Sequence, residues 1–83
     1  PVTVADGANV EILPANPRRK EALIVNQGIG TIYVSTNPAN VAGRGVPLVG
    51  GQSFTLEQSE AIYARNDSGD AVQISATDNG WAA

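Results

Sequence analysis

Residues 72–77 decide the fold, because Val72-Gln73-Ile74-Ser75-Ala76-Thr77 alternates apolar and polar side chains without a break. A period of two residues is typical of a β-strand with one buried face and one wet face. The same alternation recurs at residues 10–12, 31–35 and 53–57. No stretch of the sequence sustains the 3.6-residue period of an amphipathic helix. The pattern predicts an all-β protein.

Turn-forming residues separate these strands at short intervals. Asp6-Gly7, Gly28–Gly30, Gly50-Gly51 and Asn66–Asp70 are the strongest turn signals. Between them the sequence predicts three shorter strands, at Val2–Ala5, Val46–Val49 and Ala61–Arg65. We therefore expect about seven or eight short antiparallel strands, folded as a β-sandwich or jelly-roll-like barrel. The 83 residues form a single domain, 1–83.

The stretch Ala22–Val25 differs from the other strands because it is apolar on both faces. This pattern indicates a central strand that is covered on both sides, with a neighbouring subunit as one candidate for the outer cover. Leu23 and Val25 are therefore candidate interface residues. A second pattern is the similarity of Ile32–Val34 to Ile62–Ala64, which two equivalent strands or chance recurrence would both explain.

The composition favours a binding or structural part over an enzyme. The chain has no His, Cys or Met, and only 16% of its residues are charged, with a net charge of −3. We expect no catalytic residue, no cofactor and no metal site. An acidic chain is also a poor partner for nucleic acid, and no apolar run approaches the ~20 residues that span a bilayer.

Two pairs of carboxylates are candidates for a catalytic or calcium site. Glu57 with Glu60 would be the acid pair of a small hydrolase, and Asp67 with Asp70 would be part of a calcium loop. Both pairs fall at predicted strand corners or hairpin turns. Solvated turn acids explain them with fewer assumptions.

Two further features are candidate contacts with a partner. The one basic cluster of the sequence is Arg18, Arg19 and Lys20. It would contact the carboxylates of a partner. Alternatively, it is a solvated loop before a strand, with an Arg paired to a turn acid such as Glu21. Trp81 near the C-terminus would fold back onto its own domain or anchor in a neighbour.

Tyr33 and Tyr63 are predicted to project from the face opposite the apolar side chains of their strands. Cross-strand packing is the simpler role for such residues, and stacking against a sugar is the alternative.

Several segments taken in order resemble small structural proteins of tailed bacteriophages. The resemblance lies in Asn16–Gly28, Ile32–Val34, Gly45–Leu48, Gly51–Leu56 and Ala61–Ala64. In that pattern an Asn-Pro turn and a basic pair precede an aliphatic strand. An aliphatic-Tyr strand, a Gly-Pro-Leu hairpin and an Ala-Ile-Tyr-Ala strand follow. The resemblance covers roughly residues 15 to 76.

The resemblance implies a capsid decoration (cement) protein that binds the outer surface of the shell and stabilises the head. It implies a homotrimer partnered by the major capsid protein, located on the virion exterior after synthesis in the host cytoplasm. The alternative is a head-fibre, spike or tail-tip component with a carbohydrate-binding role. No catalytic residues carry over from this resemblance.

Overall fold

A computed structural model describes residues 2–39, 45–57 and 59–80 of the chain. The eight strands are β1 (Val2–Val4), β2 (Asn9–Leu13), β3 (Arg19–Asn26), β4 (Ile32–Ser35), β5 (Val46–Leu48), β6 (Ser53–Leu56), β7 (Ile62–Asn66) and β8 (Val72–Gly80). No helix occurs among these residues, as the alternating sequence predicts.

The strands form two four-stranded antiparallel sheets. Sheet 1 has the order β1-β8-β3-β6, and sheet 2 has the order β2-β7-β4-β5. Consecutive strands of the chain lie mostly in different sheets, which is the arrangement of a double-sheet jelly roll. The predicted all-β sandwich is confirmed. The predicted central strand is longer than Ala22–Val25, because β3 begins at Arg19 and ends at Asn26.

The core lies between the two sheets and is filled by the apolar side chains of the alternating strands. Sheet 1 contributes Ile24 and Ile74, and sheet 2 contributes Ile32 and Ile62, all fully buried. The residues next to them in the same strands are exposed or half-buried. The period-two pattern of the sequence therefore corresponds directly to the inner and outer faces of the sheets.

The fold has an internal pseudo-two-fold relation that exchanges the two sheets. If each strand number is advanced by four, with β1 counted again after β8, the order β1-β8-β3-β6 becomes β5-β4-β7-β2. This is the order of sheet 2 read from β5. Strands β1–β4 and β5–β8 are therefore two halves of equal topology. Each half places two strands in each sheet.

The same relation holds for individual hydrogen bonds at one end of the sandwich. Asn26 ends β3, and its side chain donates to the carbonyl oxygens of Gly30 (2.7 Å) and Leu48 (2.9 Å). Asn66 ends β7 and donates to the carbonyls of Asp70 (2.7 Å) and Val4 (2.8 Å). Both amides are fully buried. Each one links the crossover loop that follows it to the end of a strand in the opposite sheet.

The turns next to these two asparagines also match. Gly51 donates to the Asn26 carbonyl at 2.9 Å, and Gly7 donates to the Asn66 carbonyl at 2.7 Å. Both glycines have positive φ, 81° and 78°. The β1–β2 and β5–β6 turns are therefore two versions of one structure.

The sequence similarity at Ile32–Val34 and Ile62–Ala64 does not mark this repeat. It relates β4 to β7, which are antiparallel neighbours in sheet 2. The structural repeat relates β3 to β7 and β4 to β8. The repeat is approximate. Asn66 pairs with Ile32 in sheet 2, and an exact repeat would pair Asn26 with Val72 in sheet 1. Asn26 pairs with Ile74 instead.

Candidate interaction surfaces

The outer face of sheet 1 carries no ionisable side chain over three successive rows. Leu23 lies between Thr77 and Thr55, and Val25 lies between Ser75 and Ser53. Thr3 and Gln73 form the third row. We call these eight residues the uncharged face. At its centre Leu23 is 38% exposed, although it lies on an interior strand of the sheet.

The outer face of sheet 2 has the same framework and different chemistry. Tyr33 lies between Arg65 and Pro47, and Tyr63 lies opposite Ser35. The Tyr63 hydroxyl is 3.4 Å from a carboxylate oxygen of Glu11. Together with Asn9, these residues form what we call the tyrosine face. The two tyrosines share one face, as the alternation predicts, and lie on adjacent strands in diagonal register.

Arg19 departs from the expectation of a partner contact. It is only 4% exposed, and its guanidinium donates to the Asp78 carboxylate and to the carbonyl oxygens of Glu60 and Pro14. The pairing with an acid that the sequence allowed is thus made with Asp78 across the sheet. Burial of Arg19 ties the start of β3 to two loops of its own chain. Arg18 and Lys20 are exposed.

The two crossover loops meet at one end of the sandwich. A Cβ added to Gly30 would lie 2.4 Å from the Cβ of Ser68, so the loops 27–31 and 67–71 are in direct contact. The turn at Val49–Gln52 packs on the first loop, because a Cβ on Gly50 would lie 2.7 Å from the Ile29 Cα. We call Ile29 and Val49 the apolar tip. Ile29 is 94% exposed and Val49 is 49% exposed.

The acidic residues near that end serve structural contacts. An Asp6 carboxylate oxygen accepts the Gly69 N–H at 2.9 Å. Asp67 accepts hydrogen bonds from the Arg65 guanidinium at 2.8 to 3.1 Å. These bonds hold the pKa of the Asp67 carboxyl below its ordinary value, and the same contact raises the pKa of Arg65.

The four acids of the two candidate pairs lie at the surface. Glu57, Glu60, Asp67 and Asp70 are all exposed. Among residues 2–39, 45–57 and 59–80 we find no cavity and no group of three acidic side chains that would hold a metal ion. No helix in that part of the chain has the length and hydropathy needed to cross a bilayer. Trp81 lies outside the described residues, so its two predicted roles stay open.

Comparison with known proteins finds bacterial protein translocase subunits that are similar to this chain. The chain is 40% identical over 77 residues to the protein translocase subunit SecA of Neisseria meningitidis serogroup C, and equally to that of Neisseria gonorrhoeae. The matched stretch covers 87% of this chain and 8% of SecA. The chain therefore spans less than a tenth of the length of these relatives. No family model and no solved structure matches it.

These matches correct the functional expectation drawn from the phage resemblance. The relatives found are translocase subunits, and no phage structural protein is among them. The strand and turn order on which the resemblance rested is shared by small β-sandwiches in general, so it does not specify a capsid role. The trimer, the capsid partner and the virion location remain predictions that neither the structure nor the comparisons test.

Proposed function

We propose that this chain is a non-catalytic self-association module, which joins copies of the protein that carries it through the uncharged face. The observation that carries the proposal is the pair of the exposed Leu23 and the half-buried Val25, framed by hydroxyl side chains at Ser53, Thr55 and Ser75. Aliphatic side chains at the centre of a face with a polar, uncharged rim are the usual anatomy of a protein contact.

A second copy of the chain fits this face on electrostatic grounds. The chain has a net charge of −3, so two copies repel one another on average. The uncharged face is where two sheets can meet without placing like charges opposite each other or burying an unpaired charge. The tyrosine face would bring together two copies of Arg65 and two of Glu11.

The geometry favours a dimer over the predicted trimer. A flat face that contacts the same face of another copy makes an isologous contact, which closes at two copies. Four strands spaced about 4.8 Å apart, with about five residues rising about 3.3 Å each, give a footprint on the order of 300 Å² per copy. This is below the roughly 800 Å² per partner of a stable complex. We therefore propose a weak dimer that forms at high local concentration.

The placement of the acids supports a non-catalytic role. Asp6, Asp67 and Asp78 are engaged in hydrogen bonds that hold loops or strand ends together. General acid–base catalysis needs carboxylates that are positioned in a cleft with pKa values near the working pH. The hydrogen bond from the Arg65 guanidinium lowers the pKa of Asp67, away from that range.

A matched pair of variants tests the proposal. Ser75 and Ser35 are half-buried serines on the equivalent interior strands β8 and β4, one on each outer face. Sedimentation equilibrium up to about 1 mM protein covers the range in which weak complexes form. We expect the wild type and Ser35→Lys to dimerise, and Ser75→Lys to weaken dimerisation by at least about tenfold. A monomeric wild type, or equal effects of both variants, would overturn the proposal.

A second candidate function is a part in protein translocation, and the similarity to SecA favours it. In the Neisseria relatives the matched stretch is a small part of a translocase subunit. A chimeric Neisseria SecA in which this chain replaces the matched 77 residues tests the idea. Retained transport of a precursor protein into membrane vesicles supports it. Loss of transport by a folded, stable chimera counts against it.

A further inference from the structure

We infer that the apolar tip, Ile29 with Val49, is a second contact surface, which binds an extended protein segment that carries aliphatic and basic side chains. This inference goes beyond self-association through the uncharged face, because it concerns the loop end of the sandwich and a different partner. It rests on the exposure of the two residues, the packing of their loops, and the charge beside them.

The internal pseudo-symmetry shows that the fold does not require an apolar residue at position 29. Gly69 stands three residues after Asn66, as Ile29 stands three residues after Asn26, and the two loops make matching Asn hydrogen bonds. The backbone differs at this position, because Gly69 has a φ of 98° and Ile29 does not have a positive φ. Ala5 likewise occupies the position of Val49 in the equivalent turn. The equivalent pair of connections, loop 67–71 with turn 5–8, lacks large apolar side chains and keeps the matching Asn hydrogen bonds. Ile29 and Val49 therefore contribute little to holding the loops.

The backbone beneath Ile29 is packed on both sides. On one side Gly30 touches Ser68, and on the other the Gly50 backbone lies against Ile29. The Asn26 side chain fixes both ends of the loop, accepting from the Gly28 N–H at 2.9 Å and donating to the Gly30 carbonyl at 2.7 Å. Ile29 is thus held outward on a pre-ordered loop, which lowers the entropy cost of binding.

The charges next to the apolar tip define the partner. The adjoining loops 5–8 and 66–71 carry Asp6, Asp67 and Asp70, which are all exposed, and the nearby cation is Arg65. Among the described residues, these three carboxylates against one guanidinium make this end acidic. An acidic surface beside an aliphatic one attracts a segment that combines basic and aliphatic residues. The same charge opposes contact with an anionic bilayer.

Titration of the isotopically labelled chain with a designed peptide tests the inference. The probe is a ten-residue peptide of alternating leucine and lysine, and a second peptide with glutamate for lysine checks the role of charge. We expect amide shifts at residues 28–30 and 49–51 with the first peptide and none with the second. Vesicles of phosphatidylcholine with phosphatidylglycerol form the membrane arm, and we expect no shifts with them.

Two valines provide a matched control, since Val49 is 49% exposed and Val46 on β5 is 48% exposed. We expect Ile29→Ser and Val49→Ser each to weaken peptide binding by at least about fivefold, and Val46→Ser to leave it unchanged. Asp70→Asn should weaken binding and reduce its dependence on salt.

Peptide shifts centred on the tyrosine face would overturn the inference. Equal losses in all three serine variants, or tip shifts caused by vesicles and not by the peptide, would also overturn it. A wild type that dimerises but fails to bind the peptide at the tip would reject this inference and leave the self-association proposal standing.

Discussion

The loop at Asn26 and the loop at Asn66 make matching hydrogen bonds, yet they present opposite chemistry to solvent. The first exposes Ile29 beside Val49, and the second exposes Asp67 and Asp70. The same contrast separates the uncharged face from the tyrosine face. Features that both halves share, such as the buried amides and the positive-φ glycines, serve the fold. We place function where one member of an equivalent pair of faces or loops differs from the other.

The largest expected effect comes from the buried asparagines. Asn26→Ala and Asn66→Ala each leave two carbonyl oxygens and a loop N–H without their side-chain partner, so we expect a loss of about 3 kcal/mol of unfolding free energy. Asn66→Ala should cost more, because the Ser68 hydroxyl also donates to it, at 2.7 Å. Chemical denaturation measures both losses.

Asn9→Ala is the control for the asparagine variants. Among the described residues the Asn9 side chain donates one exposed hydrogen bond, to the Pro38 carbonyl at 2.8 Å, and its Oδ1 accepts none. We expect a loss of about 0.5 kcal/mol. If the three alanine variants were equally stable, the two asparagines would not hold the crossover loops.

Arg19 breaks the symmetry at the other end of the sandwich, since β7 begins at Ile62 without a buried cation. We expect Arg19→Met to lose about 2 kcal/mol, because the carbonyls of Glu60 and Pro14 lose their donor and the part-exposed Asp78 loses its partner. Arg18→Met should be nearly neutral, since Arg18 is exposed. Thermal unfolding of both variants measures the difference, and equal midpoints would contradict this role.

The equivalent turns predict equal losses. Gly7 and Gly51 both have positive φ, and a Cβ at either position would meet nothing within 4 Å. Backbone strain is then the whole cost of alanine, about 1 kcal/mol in each turn. Denaturation of Gly7→Ala and Gly51→Ala sharpens the comparison between the halves. A difference between the two that exceeds the cost itself would show that the turns are not equivalent.

The smallest expected effect concerns the ion pair of Asp67 with Arg65. Among the described residues, the loop beside Asn26 has no equivalent ion pair. Because its pKa is lowered in the folded chain, the stabilisation is present above the unfolded pKa, near 3.9, and is lost as pH falls through the folded value. Asp67→Asn should be slightly less stable than the wild type at pH 7. The two should converge once the pH falls below the folded pKa of Asp67. A difference that grows on acidification would contradict this contribution.

The sequence predicts the sandwich well, because alternation in β4, β6 and β8 is a local signal that survives in the folded chain. It also predicts that Tyr33 and Tyr63 project from the face opposite the apolar side chains of their strands. It does not predict that Arg19 is buried, since its partners Asp78, Glu60 and Pro14 lie far away in the sequence or contribute only backbone atoms. Its charge, and its position between Arg18 and Lys20, indicate a surface cluster in the sequence.

The repeat was missed because its signal is a pair of single residues and not a similar run. Asn26 and Asn66 each end a strand, and a glycine or serine follows two positions later, in Gly28 and Ser68. An amide that caps its own loop in this way is a recognisable turn signal. The more visible match of Ile32–Val34 to Ile62–Ala64 pointed to the wrong pair of strands.

The most direct test of self-association is a concentration series of methyl NMR spectra of the wild-type chain. We expect the methyl signals of Leu23 and Val25 to shift together as the protein concentration rises to about 1 mM. The methyl signals of Ile29 and Val49 should stay fixed. Concentration-independent signals at Leu23 and Val25, or shifts that appear first at the apolar tip, would contradict the claim.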